Sequence, residues 1–166
     1  VRQVPVEAVP TETQILDVGV GGYIVFGGNV DSTSDLIADL AEVSPHPLIV
    51  ASDLERGLGQ QLEGGTVFPS QMALGAGGVP DLAFAQGWVT GIEARAVGVN
   101  LVFAPVADVL TEPLNPIIGT RSYGGEALAV ADLCCAFVQG CQTWGVGATA
   151  KHFPGHGATT LDSHIE

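Results

Sequence analysis

Short apolar runs alternate along the chain with stretches in which apolar residues recur every three or four positions. "YIVF" (23–26) precedes "DSTSDLIADLAEV" (31–43), where Leu36, Ile37 and Leu40 share one helical face and Asp31 or Ser32 is placed to cap the start. "LIVAS" (48–52) is an uninterrupted apolar run of the kind buried on both faces of a sheet. Pro80 opens a helix whose expected inner face is Leu82, Ala85, Val89, Ile92 and Ala96, and Gly98 closes it. "VNLVFAP" (99–105) and "VGATAK" (146–151) predict further strands. Between them lies a helix in which Val130, Cys134, Phe137, Cys141 and Trp144 form one stripe. "VPVEAV" (4–9) predicts an additional strand, with a short helical "TETQILDVG" (11–19) behind it.

Strands and helices alternating at this spacing predict an α/β domain over 1–166, a parallel sheet with helices outside it. Charged residues gather just after the strands: Asp53, Glu55 and Arg56 after the second clear run, Asp108 after the third, Lys151 and His152 after the fourth. Parallel α/β sheets bind ligands at the carboxyl ends of their strands, so these side chains are expected to converge on one pocket.

Composition narrows the class. Apolar residues make up 46% of the chain, which argues for a packed core rather than disorder. Five Lys and Arg against eighteen Asp and Glu give a net charge of −13, which repels phosphate backbones and anionic lipid; neither nucleic acid nor a membrane is an expected partner. No apolar run approaches the ~20 residues of a membrane span, and the first residues lack the apolar stretch of a signal peptide. Cys134, Cys135 and Cys141 read as reduced packing thiols, and a cytoplasmic location is expected.

The chemistry concentrates in "KHFPGHGATTLDSH" (151–164), which holds the single lysine and three of the four histidines. Pro154, Gly155 and Gly157 forbid a continuing helix and allow sharp turns near a ligand. Asp162 and His164 stand two apart; on an extended segment they point the same way, within reach of a carboxylate–imidazole hydrogen bond. Such a pair suits general acid/base work, and equally a turn held by a local hydrogen bond. His152 and His156 have a metal-like spacing only on a helix, which Pro154 and Gly155 disfavour, so no metal is expected. "GVGATA" and "GLGQQLEGG" lack the strand–turn–helix setting of a phosphate loop, and no organic cofactor is expected. Lys151 and Arg121 are scarce cations suited to hydroxyl or carboxylate oxygens, or to simple solvation.

The motif resembles the signature K-H-F-P-G-H-G-x-x-x-x-D-S-H of the β-N-acetylglucosaminidase branch of glycoside hydrolase family 3, with matching spacing. "GGYIVFGGNV", "IVASDLERG", "FPSQMALG", "NLVFAPVADV" and "NPIIGTRSYG" follow in the family's order. The resemblance implies a TIM-type (β/α)8 barrel that removes terminal β-linked N-acetylglucosamine with retention. It implies His164 as general acid/base and Asp162 as its orienting partner. Asp53, Arg121, Lys151 and His152 would hydrogen-bond the sugar hydroxyls, with Asp108 and His156 in support. It leaves open whether the sugar comes from a muropeptide, a chitin oligomer or a glycoconjugate. A neutral imidazole after proton donation would not repel an anionic acceptor, so hydrolysis and phosphorolysis both fit.

Two departures matter. Arg56 stands where the family reads glycine in D-Q-E-G-G-R-V, and the family's nucleophilic aspartate lies on a strand after D-S-H. The expectation is therefore a partial barrel of about the first five βα units, lacking the nucleophile and inactive alone. Its partner would be a second chain or the C-terminal half of the barrel; a non-catalytic aminosugar-binding half-barrel is the alternative.

Overall fold

The computed structural model describes residues 2–4 and 19–162. Five strands, β1 (Arg2–Val4), β2 (Gly22–Val25), β3 (Ile49–Ser52), β4 (Leu101–Val102) and β5 (Gly147–Ala148), form one parallel sheet in chain order. Around it lie α1 (Val30–Val43), α2 (Gln71–Gly77), α3 (Pro80–Ala96) and α4 (Ala127–Gln142). Each clear apolar run of the sequence contributes a strand, although the ladders are shorter than the runs. The first strand pairs at Arg2–Val4, whereas most of the expected 4–9 strand and the helix after it lie outside the described residues.

Beyond the ladders, backbone hydrogen bonds continue toward the carboxyl ends. Phe103 N donates to Ser52 O at 2.9 Å, Thr149 N to Val102 O at 3.0 Å, and Lys151 N to Pro105 O at 3.0 Å. The loops that carry the charged residues are thus stitched together before any side chain is considered. Below them sits a core of Val50, Leu54, Val99, Val102, Phe137 and Cys141.

In α1, Leu36, Ile37 and Leu40 are buried as their spacing predicts. Its cap is Asn29, two or three residues before the expected Asp31 or Ser32: Asn29 Oδ1 accepts from Ser32 N at 2.9 Å and the helix begins at Val30.

The inner face of α3 also differs from the expectation. Leu82 is 50% exposed, and the buried positions are Ala83, Gln86, Gly87, Thr90, Gly91 and Ala94. The reason is close approach to α4. A side-chain carbon on Gly87 would strike the Phe137 carbonyl, and one on Gly140 would strike the Phe84 carbonyl and, at 2.5 Å, Trp88 N. Backbones packed this tightly select small residues and turn larger ones outward. In α4 four of the five predicted stripe positions, Val130, Cys134, Phe137 and Cys141, are buried, while Trp144 lies past the helix end and is half-buried; Cys135 is exposed. No helix among the described residues is long and apolar enough to cross a membrane.

Candidate active site

β3 delivers Asp53 and Glu55, β5 delivers Lys151 and His152, and the long loop after β4 delivers Asp108 and Arg121. Arg121 ends a short 3-10 turn, Gly119–Arg121, and its backbone N donates to Ile118 O at 2.8 Å. Ser122 Oγ donates to Asp108 O at 2.6 Å, tying that turn to the start of its own loop.

The side chains form one chain of alternating partners. Lys151 Nζ lies 2.6 Å from Asp53 Oδ1 and 2.7 Å from Glu55 Oε1. Arg121 meets Glu55 with two arms, Nη2 to Oε1 at 2.8 Å and Nε to Oε2 at 3.0 Å. On its other side Arg121 Nη2 is 3.3 Å from His152 Nε2, and His152 Nδ1 is 2.6 Å from Asp108 Oδ2. Burial pushes the Glu55 carboxyl upward, but hydrogen bonds and charge from Arg121 and Lys151 outweigh it and hold the group below its ordinary value. The Glu55 hydrogen bond raises Arg121 in turn, against the opposing effect of its burial.

A cavity of about 610 Å³ opens on this chain, lined by Asp53, Glu55, Arg56, Gln60, Gln61, Phe103, Arg121, Lys151 and His152. It presents carboxylate acceptors and cationic donors side by side, the arrangement suited to ring hydroxyls, which both give and take hydrogen bonds. Arg56, exposed at the rim, is held by its Nε hydrogen bond to Phe68 O at 3.0 Å.

Five of the sequence-predicted residues, Asp53, Asp108, Arg121, Lys151 and His152, come together in this network. His156 contributes its backbone N–H, which donates to Asp108 Oδ1. Asp162 is the last described residue and His164 lies outside the described residues. The imidazole–carboxylate pair seen here is therefore His152 with Asp108. Among the described residues no cluster of side chains fits a metal ion.

Two residues acquire roles that the sequence reading had not given them. Glu55, expected in the pocket but given no role there, is the hub of the cations. Asn115 joins two loops: its Nδ2 donates to His156 O at 2.6 Å and Thr159 O at 2.9 Å, while its Oδ1 accepts from Ile117 N at 2.9 Å and Ile118 N at 2.7 Å. The Asn-Pro pair at 115–116 signals a turn but not this cross-link.

Relatives place the arrangement in context. The chain is 38% identical over 160 residues to the β-hexosaminidase of Xylella fastidiosa (strain M12), a match covering 90% of this chain and 47% of that protein. It superimposes with TM-score 0.91 and 41% identity on a glycoside hydrolase family 3 β-N-acetylglucosaminidase from Paenibacillus sp. str. FPU-7, covering 98% of this chain and 33% of that one. NagZ from Neisseria gonorrhoeae, in complex with N-trifluoroacetyl-D-glucosamine, superimposes with TM-score 0.90 at 31% identity, covering 99% of this chain and 52% of that one. The chain thus spans about half the length of its β-hexosaminidase relative. Its parallel α/β fold is that of a family 3 N-terminal barrel domain. Residues 3–166 match the glycosyl hydrolase family 3 N-terminal domain, and the chain belongs to that family.

Proposed function

We propose that this domain, one unit over 1–166, is the amino-terminal part of a (β/α)8 barrel in a cytoplasmic retaining β-N-acetylhexosaminidase that removes terminal β-linked N-acetylglucosamine. The observation that carries the reading is the convergence of Asp53, Arg121, Lys151 and His152 on one cavity at the carboxyl ends of parallel strands. The names of the relatives and the aminosugar held by the Neisseria enzyme support the choice of sugar. In this reading Asp53, Arg121, Lys151 and His152 hold the sugar hydroxyls, while Asp108 and His156 support them. His164, oriented by Asp162, protonates the leaving oxygen and then activates the acceptor. This dyad replaces one of the two carboxylates of most retaining glycosidases.

The nucleophilic aspartate is assigned to sequence outside these 166 residues, supplied by a following segment or a second chain. A strictly non-catalytic aminosugar-binding or partner-assembling half-barrel is the alternative. Assay of a chromogenic N-acetylglucosaminide separates the two. The 166-residue chain is expected to turn over little or none alone. The same domain with its barrel completed is expected to be active, and to lose most turnover with D162N or H164Q. A completed barrel with no turnover would favour the binding module, and turnover unaffected by either change would refute the dyad.

A further inference from the structure

His152 lies between two partners with opposite demands. Its Nε2 is 3.3 Å from Arg121 Nη2, and a guanidinium nitrogen can only donate, so Nε2 must carry a lone pair. The one proton of the neutral ring is then on Nδ1, donated to Asp108 Oδ2 at 2.6 Å. We propose that Asp108 is a positioning residue that locks His152 as the Nδ1–H tautomer and so makes Nε2 a hydrogen-bond acceptor facing the cavity.

Asp108 is well placed to do this. Its side chain is fully buried, and it takes three N–H donors from the loop after β5: His152 N at 3.1 Å, His152 Nδ1, and His156 N. A buried carboxylate with only lone pairs satisfies all three, taking both His152 donors on Oδ2 and His156 N on Oδ1. An asparagine keeps one oxygen for the His152 side, so the informative change is D108A, which removes the Nδ1 acceptor and should let the Nε2–H tautomer gain population against the Arg121 contact.

This assignment gives the cavity a rule of selection, resting on the aminosugar reading above. Lys151 and Arg121 supply only hydrogens, whereas His152 Nε2 and the Asp53 carboxylate supply only lone pairs. A hydroxyl at His152 must donate to the one Nε2 lone pair, in place of the long 3.3 Å Arg121 contact. A fluorine in its place accepts weakly and donates nothing, so the site should reject it.

Long-range ¹H–¹⁵N correlation NMR on the histidine-labelled chain, with H152Q to assign the ring, tests the tautomer. Wild type is expected to show a protonated Nδ1 and an unprotonated Nε2 at neutral pH. An Nε2–H tautomer or a doubly protonated ring there would overturn the proposal, whether or not D108A folds. Titration with N-acetylglucosamine and its monodeoxyfluoro analogues tests the consequence. One analogue should bind wild type about fivefold more weakly than the parent sugar, and D108A should shrink that penalty. An equal penalty in both proteins would overturn the role given to Asp108. Failure to bind any of these sugars, with the Nδ1–H tautomer present, would remove the aminosugar reading and leave the tautomer assignment supported.

Discussion

Glu55 and Arg121 meet as a two-armed ion pair, Nη2 to Oε1 at 2.8 Å and Nε to Oε2 at 3.0 Å. The same Oε1 lies 2.7 Å from Lys151 Nζ, so one buried carboxylate aims both cations of the sugar pocket. Removing it leaves two partly buried cations short of a partner. E55A is expected to lower unfolding free energy in urea by about 2 kcal/mol, below the cost of breaking a fully buried pair because Arg121 is partly solvated. R56A, at the exposed rim, is expected to cost less than about 1 kcal/mol.

Acid should reveal the same pair. Glu55 is held below its ordinary 4.5, so its contribution is present above that value and is lost as pH falls through the lower folded-state value. The stability gap between wild type and E55Q, measured in urea from neutral to acid, should therefore narrow only below about pH 4.5. A gap that does not change across that range would place the stabilisation elsewhere.

The sequence made the layout of strands and helices legible because uninterrupted apolar runs and three-four spacing report burial directly. It also pointed to Asp53, Glu55, Asp108, Lys151 and His152, because charged residues just past buried strands have little reason to be there except a pocket, and to Arg121 as a scarce cation within a stretch that resembles the family. It did not show the inner face of α3, since helices in near-backbone contact bury Gly87 and Gly91 and expose Leu82, the reverse of a hydrophobicity pattern. The parts played by Glu55 and Asn115 were hidden for another reason. Their roles are contacts with residues 66 and 41 positions away, which no local window contains.

The α3–α4 contact can be tested by adding one methyl group. Gly87→Ala puts a carbon into the Phe137 carbonyl and should destabilise by about 1–3 kcal/mol. Gly77→Ala, with open space at its Cβ position, should be neutral or gain up to about 1 kcal/mol from helix propensity. Comparable effects at both positions would contradict the close packing.

Thiol chemistry should separate the three cysteines. Burial pushes Cys134 and Cys141 up to about 12, while Cys135 is exposed. A maleimide reagent at neutral pH should modify Cys135 in the native protein and reach the other two only on unfolding. Peptide mapping by mass spectrometry reads the sites, and early modification of Cys141 would contradict its burial.

The central claim is that the network at the strand ends is a sugar-binding surface. Backbone NMR titration of the 166-residue chain with N-acetylglucosamine tests it most directly. The account predicts saturable shifts at Asp53, Arg121, Lys151 and His152 that are lost in K151A. No saturable shift, or shifts confined to residues away from that cavity, would contradict it.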